Sequence, residues 1–201
     1  MSETSFRGET ATPGRRERKK AATRQALADA ALRLFLERGY DQVSVKDVAD
    51  AADVSTTTLF KHFPGKEALV FDADADREAA LVAVVRERVP GESIPAALRA
   101  YMLRGVVAGG DVLDPRLAAF LDLVEAVPAL REYSRRMWMR HERALARAIA
   151  EQAAVPADDA RCAALARFVL DIPGLVRGQD DQRHAIDRAF DLLEHGWDTT
   201  K

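Results

Sequence analysis

Residues 44 to 69 read Ser-Val-Lys-Asp-Val-Ala-Asp-Ala-Ala-Asp-Val-Ser-Thr-Thr-Thr-Leu-Phe-Lys-His-Phe-Pro-Gly-Lys-Glu-Ala-Leu, and no other stretch constrains the fold as much. Ser44 and Ser55 are good helix N-caps, and Val45, Val48 and Ala49 fall on one helical face. The spacing predicts two short helices, over about 44–51 and 55–63, joined by the turn Ala52-Asp53-Val54 and followed by the breaker Pro64-Gly65. A longer helix is predicted before them, with Ala26, Leu27, Ala30, Ala31, Leu34 and Phe35 at the helical period and Gly39 at its end. Such a trio is a helix-turn-helix, whose second helix can enter the major groove of DNA.

The side chains suit that use. Thr56 and Thr57, behind the cap Ser55, are short enough to let the helix approach base edges, while Leu59 and Phe63 form the inward stripe. Phe60 and Lys61 then point outward. Lys46 is placed for a phosphate or guanine, Ser44 and the helix start behind it for a phosphate, and Lys66 for another. Arg18, Lys19, Lys20 and Arg24 belong to a basic arm that follows the DNA backbone or enters the minor groove. The bland alternative is an αα corner in an ordinary helical protein, its threonines merely capping.

Charge supports the first reading. Residues 1–66 carry 12 Lys and Arg against 9 Asp and Glu, a net of +3, while residues 67–201 carry 18 against 23, a net of −5. A basic end for phosphates and an acidic body follow. No run without a charged residue exceeds seven residues, the length of Val54–Phe60 and Ala79–Val85. A membrane span needs roughly 20 apolar residues, so none is expected. The one cysteine, Cys162, allows no intramolecular disulfide, and with no apolar leader core the expected location is the cytoplasm, at the nucleoid.

Past residue 65 the pattern predicts six helices, over about 66–88, 95–108, 115–125, 128–152, 157–176 and 182–197, with a break or kink at Pro173-Gly174. The expected class is all-α, about nine helices, organised as a disordered tail (1–14), a helix-turn-helix domain (15–65) and a helical body (66–201). In the body Tyr101, Met102, Phe120, Leu123, Met137, Trp138 and Phe168 suit an apolar pocket. Each is more simply explained as plain core. Ile186, Ala189, Phe190, Leu193 and Trp197, with Phe168 and Ile172 before them, form stripes suited to a partner helix or to packing within one subunit.

The segment from about Arg18 to Leu69 resembles the N-terminal domain of the TetR family of one-component bacterial repressors. The resemblance lies in Ala31, Leu34, Phe35, Gly39, Val45, Val48, Ala49, Ala52, Val54, Ser55, Thr58, Leu59, Phe63, Lys66, Glu67, Ala68 and Leu69. It implies base or phosphate contacts for Lys46, Thr56, Thr57, Thr58, Phe60, Lys61, His62 and Lys66. It further implies a homodimer on a near-palindromic operator, paired through the last two helices, and a body that binds a small effector. Residues 71–99 look like a subgroup with acyl-CoA-like effector domains, which points to an amphipathic or apolar effector. Two positions depart from the family pattern: Phe60 stands where Tyr is usual, and Asp53 stands where Gly is usual at the turn.

An enzyme is not expected. His62, His141, His184 and His195 are scattered, and no HExxH, GxSxG or GxGxxG occurs. No cofactor or metal is called for. A third possibility, a sequence-tolerant DNA-binding or scaffold dimer without effector, predicts equal affinity for all DNA.

Overall fold

A computed structural model describes residues 14–109, 115–176 and 178–196, and among these residues the chain is all-helical, without a strand. The helices are α1 (Arg15–Arg38), α2 (Val45–Ala51), α3 (Thr56–His62), α4 (Lys66–Val70), α5 (Asp74–Arg86), α6 (Ile94–Gly109), α7 (Pro115–Ala126), α8 (Pro128–Ala153), α9 (Ala160–Val176) and α10 (Gln182–His195). The tail at 1–13 and Trp197 lie outside the described residues.

Most boundaries have a local cause. Gly39, at φ 84°, ends α1 and returns its N–H to the Phe35 carbonyl at 3.0 Å. Pro128 opens α8, where its missing N–H costs nothing. Three boundaries differ from expectation. The single helix expected over 66–88 is two: it stops at Val70, Phe71 turns in to be buried, and the Asp72 carbonyl is taken by Arg24 at 2.8 Å. That break makes the tenth helix. α9 begins at Ala160 rather than 157, because the Asp159 carboxylate accepts from the Arg161 N–H at 2.8 Å and starts the helix there. α9 also runs through Pro173 to Val176: the proline forfeits only the one bond its N–H would give the Val169 carbonyl, and the helix ends within a turn of it.

The chain divides into two compact units, Met1–Asp72 and Ala73–Lys201, so α4 belongs with the first three helices rather than with the body. The first unit is built on Leu27, Leu34, Phe35, Val48, Leu59, Phe63 and Leu69, each almost fully buried. Each such side chain contributes about 1.5–3 kcal/mol relative to exposure. The second unit packs Leu81 and Val85 of α5, Leu98 of α6, Leu145 and Ile149 of α8, Val169 and Ile172 of α9, and Ile186 and Phe190 of α10 into one core. Ile172, Ile186 and Phe190 are therefore corrected as dimer-interface candidates. Their exposures of 0%, 2% and 0% mean the subunit's own core uses them. Arg99 of α6 adds a polar tie to α10, 2.7 Å from Asp187 and 3.1 Å from Asp191.

Candidate nucleic-acid interface

The turn that aims α3 is set by the end of α2. The Val54 N–H reaches the Ala49 carbonyl at 3.0 Å and the Asp53 N–H reaches the Asp50 carbonyl at 3.1 Å, a Schellman pair. That pair requires a left-handed residue between them, and Asp53 supplies it at φ 53°. Aspartate tolerates this region better than most residues, so the geometry glycine would give is kept. At the other end of α2, Ser44 and Asp47 form a capping box: the Asp47 N–H donates to Ser44 Oγ at 3.1 Å, and the Ser44 N–H donates to Asp47 Oδ2 at 2.8 Å. The Ser44 hydroxyl, 2.5 Å from Asp47 Oδ2, and then the Ser44 N–H hold the Asp47 carboxyl below its ordinary range, so a fixed negative charge sits at the α2 start. Ser44 is thereby occupied in capping, and the carboxylate beside it disfavours a phosphate there.

α3 starts in the same way. Ser55 Oγ accepts from the Thr58 N–H at 3.1 Å and lies 2.9 Å from Thr58 Oγ1, which turns the Thr58 hydroxyl back into the cap. Leu59 at 0% exposure and Phe63 at 1% seat the helix on its neighbours. Thr57, Phe60 and Lys61 face outward, Phe60 with 53% of its surface exposed, while Thr56 and His62 are half-buried at the edge. Burial, with Arg24 and Lys20 nearby, pushes the His62 pKa down, so its ring is neutral at pH 7 and adds no charge to the face. Lys46 is exposed and paired with Asp50 one turn on, a surface pair that a phosphate can replace at little cost.

Two expected phosphate contacts are corrected. Arg24 is not part of an arm. Its guanidinium donates to the His62 carbonyl at 2.9 Å and the Asp72 carbonyl at 2.8 Å, lies 2.7 Å from Asp72 Oδ1, and covers the Phe63 ring at 4.4 Å. It clasps the end of α3 to the chain beyond α4. Lys66 turns inward as well: its ammonium donates to the Tyr40 carbonyl and sits 4.0 Å above the Tyr40 ring, where burial lowers its pKa. The remaining basic residues of the arm, Arg18, Lys19 and Lys20, are exposed but already helical within α1. A helix about 10–12 Å wide does not fit a minor groove about 6 Å wide, so these side chains are suited to backbone phosphates. That Arg24 faces inward was findable, though its partners were not: the residue lies three before Leu27 and seven before Ala31, on the buried stripe of α1.

In the second unit the expected pocket residues differ in burial. Tyr101, Met102 and Phe168 pack half-buried against the core, Met137 is buried, Phe120 and Leu123 are half-buried on α7, and Trp138 is exposed. A cavity of about 420 Å³ opens among Ile94, Pro95, Ile149, Val155, Cys162 and Leu165, with Arg161 at its side. Burial pushes the Cys162 thiol up, so it stays protonated there. His141, read from sequence only as one of four scattered histidines, is buried at 1% exposure with Nε2 2.6 Å from Asp74 Oδ1. No spacing signal links residues that far apart in the chain.

Residues 27–73 match the family model described as bacterial regulatory proteins, tetR family. The chain is 37% identical to the HTH-type transcriptional regulator TcmR of Streptomyces glaucescens over 155 residues, 73% of this chain and 67% of that protein. It is 30% identical to the HTH-type transcriptional repressor Rv1474c of Mycobacterium tuberculosis over 189 residues, 87% and 92% of the two chains. Among solved structures, Salmonella enterica GusR superposes with a TM-score of 0.56 at 21% identity, over 87% of this chain and 95% of that one, a likeness of fold.

Proposed function

The chain belongs to the tetR family of bacterial regulatory proteins and is a DNA-binding transcriptional regulator; from that premise we propose a repressor that binds a near-palindromic operator as a homodimer and is released by a small apolar or amphipathic effector. The observation that carries the reading is the open face of α3, where Thr57, Phe60 and Lys61 stand out from a helix whose other side is locked in the core. Thr57 reads a base edge, Phe60 packs on a sugar or a thymine methyl, and Lys61 with Lys46 and the start of α1 holds phosphates. The repressor role is supported by the name of the Mycobacterium relative.

The second subunit docks on the outward sides of α9 and α10. Phe168, Ala189 and Leu193 keep part of their surface there, and Leu175 is 59% exposed. Two recognition helices about 34–36 Å apart then meet successive major grooves. The apolar walls of the cavity in the body support an apolar or amphipathic effector. No catalysis is part of this proposal, and a cytoplasmic location fits it. Among the described residues no helix is long and apolar enough to cross a membrane.

Thr57→Ala tests base reading. On duplexes tiling the DNA that flanks its own gene, the variant is expected to lose about 1–3 kcal/mol of affinity for the preferred site and almost none for scrambled DNA. An equal loss on both would remove Thr57 as a reader.

A further inference from the structure

We infer that the cavity between the start of α6, the end of α8 and the start of α9 takes a neutral apolar ligand and discriminates against an anionic one, because the chain's own Asp159 carboxylate fills the place an anionic head would need. The inference rests on the effector reading above and narrows it from apolar or amphipathic to neutral. The whole site lies in the second unit. Ile94 comes from the start of α6, Ile149 and Ala153 from the last two turns of α8, and Cys162 and Leu165 from the first two turns of α9. Its volume is about 420 Å³. A cavity of about 150 Å³ holds one benzene ring, so there is room for about two to three rings or a chain of equal bulk.

Among the described residues that line the cavity, Arg161 alone carries a charge. An isolated guanidinium beside apolar walls would select a carboxylate or a sulfonate. This one is already matched: its Nε lies 3.1 Å from Asp159 Oδ1 and its Nη2 lies 2.7 Å from Oδ2. The same carboxylate accepts the Arg161 N–H at 2.8 Å, and the Asp159 carbonyl accepts the N–H groups of Cys162 and Ala163 at 3.1 and 3.3 Å. The donors at the start of α9 that a ligand anion would use are therefore taken. The Arg161 guanidinium first, and then its N–H, hold the Asp159 carboxyl down to about 2, so it is ionised throughout the neutral range. If the Arg161 side chain swings to a bound anion, Asp159 stays beside it as a like charge, and the exchange gains nothing. A bound cation meets Arg161 instead. The Cys162 thiol, kept protonated because burial raises its pKa, adds no charge. A neutral ligand meets none of this opposition and gains the burial of its apolar surface.

The test uses two dyes that share a ring system and differ in charge, neutral N-phenylnaphthylamine and anilinonaphthalene sulfonate. Each is titrated by fluorescence into the wild-type protein and into Ala153→Trp, after a thermal melt shows the variant folded. Ala153 lines the cavity from an exposed position, so an indole added there blocks the cavity without overpacking the core. The expected result is neutral-dye binding at least tenfold tighter than sulfonate binding in wild type, and a tenfold or greater loss of the neutral dye in the variant. Should the variant fail to fold, the chain's one cysteine reports on the wild-type protein: saturating neutral dye should slow N-ethylmaleimide labelling of Cys162 at least fivefold. No binding of the neutral dye overturns the inference. So does sulfonate binding that is as tight and equally sensitive to Ala153→Trp, or neutral-dye binding that neither the variant weakens nor Cys162 labelling registers. Failure of the effector reading looks different: the neutral dye binds at the cavity by both measures yet leaves the operator complex intact, which supports the inference and removes the cavity's regulatory role.

Discussion

Arg24, Lys61 and Lys66 are three cations of one helix-turn-helix with three different surroundings. Lys61 is exposed on α3, Lys66 is folded over Tyr40, and Arg24 is fixed by two carbonyls, a carboxylate and a ring. Removing Lys61 should make the salt dependence of DNA binding shallower by about one unit of slope. Lys66→Met should leave that slope as it is and instead cost about 1 kcal/mol of stability, because the Tyr40 carbonyl loses its charged donor and keeps only the Val43 N–H at 3.4 Å. Salt titrations and urea melts of the two variants separate the roles. Arg24→Ala should destabilise the first unit by about 2 kcal/mol, and Arg24→Lys should not restore it, since only a planar fork reaches both carbonyls and the carboxylate. A lysine variant as stable as wild type would contradict the clasp. At this scale the sequence showed which residues are cationic and roughly which face they occupy. It did not show that a positive charge on the buried stripe would find carbonyls, because those carbonyls come from chain 38 and 48 residues away.

Helix starts were legible because caps are local: Ser44, Ser55, Pro115 and Pro128 all stand where their chemistry predicts. Some helix ends were less so. Val70 ends α4 although neither Gly nor Pro is near, because Phe71 buries its ring and Arg24 takes the Asp72 carbonyl, both long-range effects. α8 ends on Ala154 in the left-handed region, φ 53°, with Val155 N–H bonded back to the Ala150 carbonyl at 3.1 Å. Alanine pays a steric cost there that glycine does not. Ala154→Gly should therefore raise stability by about 0.5–1 kcal/mol, seen as a higher Tm; a lower Tm would mean the terminus relaxes out of that conformation. Periodicity left α10 undecided. Its apolar stripe is real, but a stripe does not say whether it faces its own subunit or another, and Ile186 and Phe190 face inward.

For the whole molecule, the charge asymmetry along the chain fits the division of labour: a basic end with an open α3 face and an acidic body with an apolar core. Release by an effector asks for a definite free energy. Moving the population from 1:99 to 99:1 needs about 5.5 kcal/mol of preference for the released state. That the body is helical could be read from pattern, and the proposed effector role came from resemblance, whereas a ligand could not be read, because large apolar side chains serve core and cavity alike. Titrating the wild-type protein by fluorescence anisotropy against the DNA flanking its own gene and a scrambled duplex, at two salt concentrations, tests the central claim most directly. The account predicts a preference of about 10³ or more for one flanking site, saturating at two subunits. Equal binding to both duplexes, weakening steeply and alike with salt, would contradict it and leave charge attraction alone.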